Sequence, residues 1–475
     1  MMKYLLPLLF VCLAFIPARS QEIILSPEIP LRNDIAYEIF GAFKDRIILF
    51  RDQISRYEVL GFDPQLRMSW SKTLQFDKKN PKVIGSTFSK NDFTLFYYTR
   101  EQNSTLLKAA KFDPGANMID SLTIKNFGYI FFTPDFDVIL SEDRSKALIF
   151  YFERSTILHA FVFDTNTYQL LWEKMISPDG FSYYEDFLQI LVDNQGNMHL
   201  IIEKNKNPGK NEGFQYQITS FFGAANQLTL YSIPMEGKQT FDVRFTFDNL
   251  NHKLVAAGLY AEKINDKSAG YFMLSINPET VDEYARHFEP FDETFITTLL
   301  GKDAEKNRGF AEININELVL RRDGGVLLIA ERTKEYERRL GAPSRVNFDG
   351  MGRFIVDYYF DDILAISIHP DGQTHWKVVM PKKQYSQDDG GIYSSFFLFK
   401  TAGKLRFLYN DEIKYENTAS QYLLSGNGLF ERFSLLNTEK LDLRLRFRDA
   451  LQISGDALIV PSERRNKIRL VKVRF

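Results

Sequence analysis

Cysteine is nearly missing from this chain. The single one, Cys12, lies inside an apolar N-terminal stretch, so the rest has no thiol to form a disulfide, hold a metal or act as a nucleophile. Charge of one sign is missing too. The 59 basic and 61 acidic residues leave a net charge of −2, without the basic excess that nucleic-acid binding requires. The six histidines (His159, His199, His252, His287, His369, His375) form no H-x-H or H-E-x-x-H spacing. There is no G-x-S-x-G elbow, no P-loop and no complete dinucleotide fingerprint; Gly350-Met351-Gly352 reads as a loop. Asp193-Asn194-Gln195-Gly196-Asn197 opens like a calcium loop but lacks the distal glutamate and reads as a turn. No cofactor and no metal are expected. After residue 20 no apolar run reaches the ~20 residues that a membrane span needs.

The first twenty residues read as an address. Met1-Met2-Lys3 is a short basic start, Leu5 to Ile16 an apolar core, and Ala18-Arg19-Ser20 a small-residue cleavage site. Residues 1–20 are expected to be a removed signal peptide and the mature protein to be secreted or periplasmic. An exported chain without disulfides reads as bacterial.

What the chain does have is aromatic and β-branched residues in a repeating pattern. Phe alone numbers 43 and Tyr 23, which favours strands. The clearest unit is Asp362 to Met380. An apolar run (Ile363 to Ile368) meets the turn His369-Pro370-Asp371-Gly372, and a second run carries Trp376, Val378 and Val379. That is a β-hairpin. Related turns recur at 63, 113, 164, 223, 277 and 437, the last expected to join strands Phe430 to Leu436 and Leu441 to Phe447, and the first five are separated by 50, 51, 59 and 54 residues. Two further strands precede each hairpin. Some of these, Ala147 to Phe152 and Val326 to Ala330, are continuous apolar runs, as expected of strands buried on both faces. An all-β repeat near fifty residues predicts a β-propeller of four-stranded blades.

The chain ends in three strands (Leu451 to Ser454, Ala457 to Val460, Ile468 to Phe475), and the lone strand Glu22 to Ile29 is available as their fourth. Closure by both chain ends removes the open sheet edges. The count is then eight, or seven if the unit around 216–233 is not a full blade or if unit five and the long segment after it divide differently. The alternation ending at Phe475 is also seen in outer-membrane barrels, but continuous apolar runs do not fit a barrel with one lipid-facing side.

Residues 21–475 thus form one propeller domain, with insertions at about 289–311, 332–361, 381–393 and 410–429. All of these fall in connections that open onto one face, around units five to seven, and long loops on a rigid scaffold are where function usually sits. Arg332, Arg338, Arg339, Arg345, Tyr336, Tyr358, Tyr359, Lys383, Gln384 and Tyr385 are the binding candidates, since Arg and Tyr are favoured in interface cores. Glu331, Asp388 and Asp389 are the acids placed for general acid–base work. Local ion pairing of the basic residues with Glu331, Glu335 and Glu337, and turn formation by Asp388 and Asp389, are the structural alternatives.

One span resembles a known group. Gly324-Gly325, the strand ending Ala330-Glu331, Asp362-Ile363, Gly372, Trp376, the P-K-K-Q-x-S run Pro381 to Ser386, Tyr393-Ser394-Ser395-Phe396 and Asn410-Asp411 are similar to a group of exported, uncharacterised bacterial β-propeller proteins. The resemblance implies the fold and export, and no activity. The expected function is non-catalytic binding or scaffolding of a protein, peptide or glycan of the cell envelope or exterior. The alternative is a glycan hydrolase or lyase using the loop carboxylates on the same face.

Overall fold

The computed structural model describes residues 21–43, 46–101, 103–205, 213–263, 267–301, 309–339, 354–411, 413 and 418–475. The predicted leader and Arg345 lie outside them. Eight antiparallel four-stranded blades form a ring. Seven run in chain order, at 34–73, 82–126, 137–176, 187–234, 239–290, 314–380 and 396–436. The eighth is composite. Leu451–Gln452, Ala457–Arg464 and Lys467–Arg474 supply its inner strands, and Glu22–Leu25 is its outermost strand, with Glu22 opposite Arg474. The unit around 216–233 is a full blade.

The apolar core lies between blades. Within the second strand of blade six, Val326, Leu328 and Ala330 pack with Val255 and Leu259 of blade five, while Leu327 and Ile329 pack with Phe407 and Tyr409 of blade seven. Alternate residues point to opposite faces and both faces meet a neighbour, which is why the run is continuous. The tryptophans add a seam of their own. Trp172 lies against Gly223 of the next blade and donates to Gly196 O at 2.8 Å. Trp376 repeats this on Gly428 and Gly426 of blade seven. Gly428 has φ +84, so both its conformation and the indole above it demand glycine.

Blade seven corrects the predicted register. Phe430–Leu436 is its outermost strand, the third strand is Ala419–Ser425, and the turn between them is 426–429. The stretch 410–429 is therefore not one insertion, and 441–447 is not a fourth strand. It belongs to the connection into the closing blade, which ends in a 3₁₀ turn at Phe447–Asp449.

The described parts of the connections before and within blade six carry regular structure. The first carries a helix, Glu293–Leu300, capped by the Asp292 carboxylate, which accepts from Phe295 N at 2.7 Å. Phe295, Ile296 and Leu299 bury its inner face over the seam between blades five and six. The predicted loop at 332–361 begins and ends as strand. Val326–Arg339 and Phe354–Ile368 stay paired from Val326–Ile368 out to Arg339–Phe354, with a bulge between Glu331 and Thr333. Beyond the bulge seven residues at ~3.4 Å each carry the pair ~24 Å past the blade. A third strand, Gln384–Gln387, joins the outer side of 357–360.

Candidate functional site

The projecting three-stranded sheet stands on the face that carries the long connections, and its pleat sorts the candidate residues. Paired residues share a face. Tyr336, Arg338, Tyr359 and Tyr385 are on one side with Asp357. The Tyr359 and Tyr385 rings lie 5.2 Å apart. Arg338 Nε is 2.6 Å from Asp357 Oδ2, and Tyr385 Oη donates to Asp357 Oδ1 at 2.7 Å. The Tyr385 hydroxyl and the Arg338 guanidinium hold the Asp357 carboxyl below its ordinary range, and that carboxylate raises Tyr385. Arg338 is thus neutralised where it stands, and Tyr336 is left exposed. Arg339 pairs with Phe354 in the ladder.

On the other side lie Thr333, Glu335, Tyr358 and Phe360. They overhang a cavity of about 910 Å³ at the mouth of the central channel. Its walls come from inner-strand segments of four blades: Arg244 of blade five, Asn314 and Asn316 of blade six, Phe396 and Phe397 of blade seven, and Gln452 of blade eight. Arg448, from the 3₁₀ turn, lies over the Phe360 ring at 4.6 Å. The wall therefore mixes aromatic rings, amides and cations, a lining suited to a polar ligand with apolar parts.

Beside the cavity, at the seam of blades six and seven, sits a buried polar cluster. The Lys382 and Glu331 side chains are both 0% exposed and meet at 2.7 Å. Lys382 Nζ also donates to Phe360 O at 2.7 Å and Gln384 Oε1 at 2.6 Å. Glu331 Oε2 accepts from Ser395 Oγ at 2.6 Å and Asn316 Nδ2 at 3.2 Å. Gln384 accepts from Ser395 N and donates to Asn410 O, and Asn410 in turn donates to Tyr393 O and Leu445 O. Burial holds the Lys382 ammonium below the ordinary lysine value, against the pull of Glu331. Part of the resemblance gathers here, in Glu331, Lys382, Gln384, Tyr393, Ser395 and Asn410, whereas Gly372 and Trp376 lie at the other end of the blade, against His287 and Gly428. The cluster fastens the root of the projecting sheet to blade seven, and it leaves Glu331 no free oxygen facing solvent.

The remaining candidates divide between turns and ion pairs. Asp388, at φ +50, accepts from Val356 N at 2.9 Å. Asp389 accepts from Gly391 N at 2.9 Å and lies 3.5 Å from Arg444. Both shape the turn after the third strand, and neither lines the cavity with Glu331. Arg332 pairs with Asp362 at 3.1 Å and donates to Leu299 O, so it ties the sheet to the helix. Lys383 is exposed at a separate cleft of about 730 Å³, opposite Asp361, Asp411 and Arg432. Burial raises the Asp361 carboxyl, although Arg332 is near. Sequence reasoning missed Lys382, Arg448 and Phe360. Adjacent residues of an extended chain point oppositely, so the choice of Lys383 pointed away from the buried partner of Glu331.

Among the described residues no three His, Asp or Glu side chains converge as a metal site, and no helix is long and apolar enough to cross a membrane. No protein-family model and no curated protein matches the sequence. Solved structures do match. An uncharacterised protein of Listeria monocytogenes aligns over 82% of this chain and 90% of its own, at 11% identity and a TM-score of 0.40. Dipeptidyl peptidase 4 of Porphyromonas gingivalis aligns over 91% of this chain and 57% of its own, at 9% identity and a TM-score of 0.46. The polysaccharide lyase Uly1 aligns over 84% and 91%, at 8% identity and a TM-score of 0.39. Likenesses this distant say nothing about activity.

Proposed function

We propose that this chain is an exported, non-catalytic recognition propeller. It binds a protein, peptide or glycan of the cell envelope or exterior at the channel mouth, beneath the projecting sheet of blade six. The observation that carries the reading is the 910 Å³ cavity overhung by Tyr358 and Phe360, with Arg448 stacked at its rim. Aromatic and arginine side chains at a concave, partly desolvated site supply most of the energy in recognition surfaces. The hydrolase or lyase alternative draws less support. Of the three acids that line the cavity, Glu331 and Glu317 are each held by a cation, Lys382 and Lys400, which leaves Glu335 without the second free carboxylate that glycan hydrolysis pairs with its acid.

The test is capture of partners from the organism's own envelope fraction by the mature protein, beside a variant in which a short turn replaces 333–360. A second variant, Tyr358→Ala with Arg448→Ala, leaves the sheet in place. Captured partners are then titrated as pure components. The expected result is loss of at least one partner by the first variant and about a tenfold weaker complex with the second. Identical capture and affinity in all three proteins overturns the reading.

A further inference from the structure

Among the described residues, the edge of strand 333–339 that faces away from 354–360 has no strand beside it. Strand 333–339 pairs with 354–360 on one side, and the inner strand of blade six, Asn314–Leu320, stops pairing at Asn314 opposite Glu331. Among the described residues no strand continues along the other side of 333–339. Thr333 N fixes which groups point there, because it donates across that edge to Glu312 O at 3.3 Å. In an extended strand the N–H and C=O of alternate residues share one edge. The main-chain groups of Glu335 and Glu337 therefore face outward along it, while Lys334, Tyr336 and Arg338 are bonded inward to 355–359.

We infer that this edge receives an extended peptide, added as a further strand over the channel mouth. The inference rests on the recognition reading above and names the partner class. The edge supplies repeating donors and acceptors that only another extended backbone matches in full. The cavity lies along the same edge, since Thr333 and Glu335 are part of its lining, so alternate side chains of the added strand enter it. Charge argues against a second copy of this chain. Antiparallel self-pairing would set glutamates 335 and 337 against each other, and like charges directly opposite are destabilising. Neither carboxylate holds an ion pair among the described residues, and both are exposed. A peptide with Lys or Arg two residues apart meets both.

The test uses the full mature protein and a phage-displayed library of random linear peptides. Selected peptides are expected to carry Lys or Arg at i and i+2. N-methylation of the peptide backbone is expected to weaken binding about tenfold at every second residue and hardly at all between them, the signature of ladder hydrogen bonds. Glu335→Pro removes an outward N–H at an edge position where proline is tolerated, and it is expected to bind about tenfold more weakly than Glu335→Ala. Should the proline variant not fold, the N-methyl scan decides alone. A library that yields no binder, or binders without the two-residue period, overturns the strand addition. The recognition reading fails separately, by undiminished envelope capture when 333–360 is excised.

Discussion

Replacing Lys382 by Met removes the one cation in the buried cluster and leaves its shape nearly filled. Three contacts go at once: the Glu331 carboxylate at 2.7 Å, Phe360 O at 2.7 Å and Gln384 Oε1 at 2.6 Å. Glu331, with no exposed surface, then keeps only Ser395 and Asn316. Breaking a buried pair from one side costs about 3–5 kcal/mol, because a buried charge is left uncompensated. The two lost carbonyl contacts lie in the same network, where Gln384 Oε1 still accepts from Ser395 N, and are not added to that figure. Replacing both members, Glu331→Met with Lys382→Met, removes the stranded charge and is expected to recover at least about 1.5 kcal/mol of the loss. A ring of similar blades need not unfold in one step, so the assay is native-state hydrogen exchange over 354–360 and 384–399, where the cluster joins the projecting sheet to blade seven. Protection in Lys382→Met within about 1 kcal/mol of the parent, or a double variant no better than the single one, refutes the argument.

Asp361→Asn reports on pH. Burial raises the folded pKa of Asp361, so the folded state binds the proton more tightly than the unfolded one. That stability is fully present below the ordinary Asp value and is lost as pH rises through the raised one. The asparagine has no proton to lose. The melting temperature of the variant, measured against the parent from pH 4 to pH 7, therefore gains on it. A flat difference sinks the assignment. At Gly223 an added Cβ would lie 2.1 Å from Trp172 Cδ1. Gly223→Ala is expected to cost about 1–3 kcal/mol in denaturant unfolding, with part of it returned by Trp172→Leu. Arg51 holds Asp34 through Nε at 2.8 Å and Nη2 at 2.6 Å, Glu58 at 2.7 Å and Pro30 O at 2.7 Å. Arg51→Lys keeps the charge but not the fork and is expected to lose about 2–3 kcal/mol in the same assay.

The propeller was legible because blades stack face to face. Double-sided burial writes Val326-Leu327-Leu328-Ile329-Ala330 as an unbroken apolar run, and a strand of this kind has no other home in an all-β chain. The sequence places blade seven one strand out of step because Asn437-Thr438 looks as much like a turn as Ser425-Gly426-Asn427-Gly428 does. The second is the true turn, and what distinguishes it is Trp376 of the neighbouring blade lying on Gly428, a contact that no local pattern contains. The projecting sheet reads as loop in the sequence because Thr333 to Arg339 has no apolar face. Solvent reaches both sides of that strand, so hydrophobic alternation never arises. The basic residues of the insertion were legible as a group, but their partners were not: Asp357 and Asp362 neutralise Arg338 and Arg332 across a ladder whose register had to be known first.

The closing blade also sets how the molecule responds to load. Residue 22 sits opposite residue 474, and the pairing runs from there inward, through Leu25 with Val471, to Pro30 with Lys467. A pull applied at residues 22 and 475 therefore meets the rungs one after another, as a zipper does, rather than shearing them together. Arg51, gripping Pro30 O, stands at the far end of that sequence as the last rung. Stretched between its ends, the ring is expected to give way first at this clasp, at low force, while the seven continuous blades stay stacked.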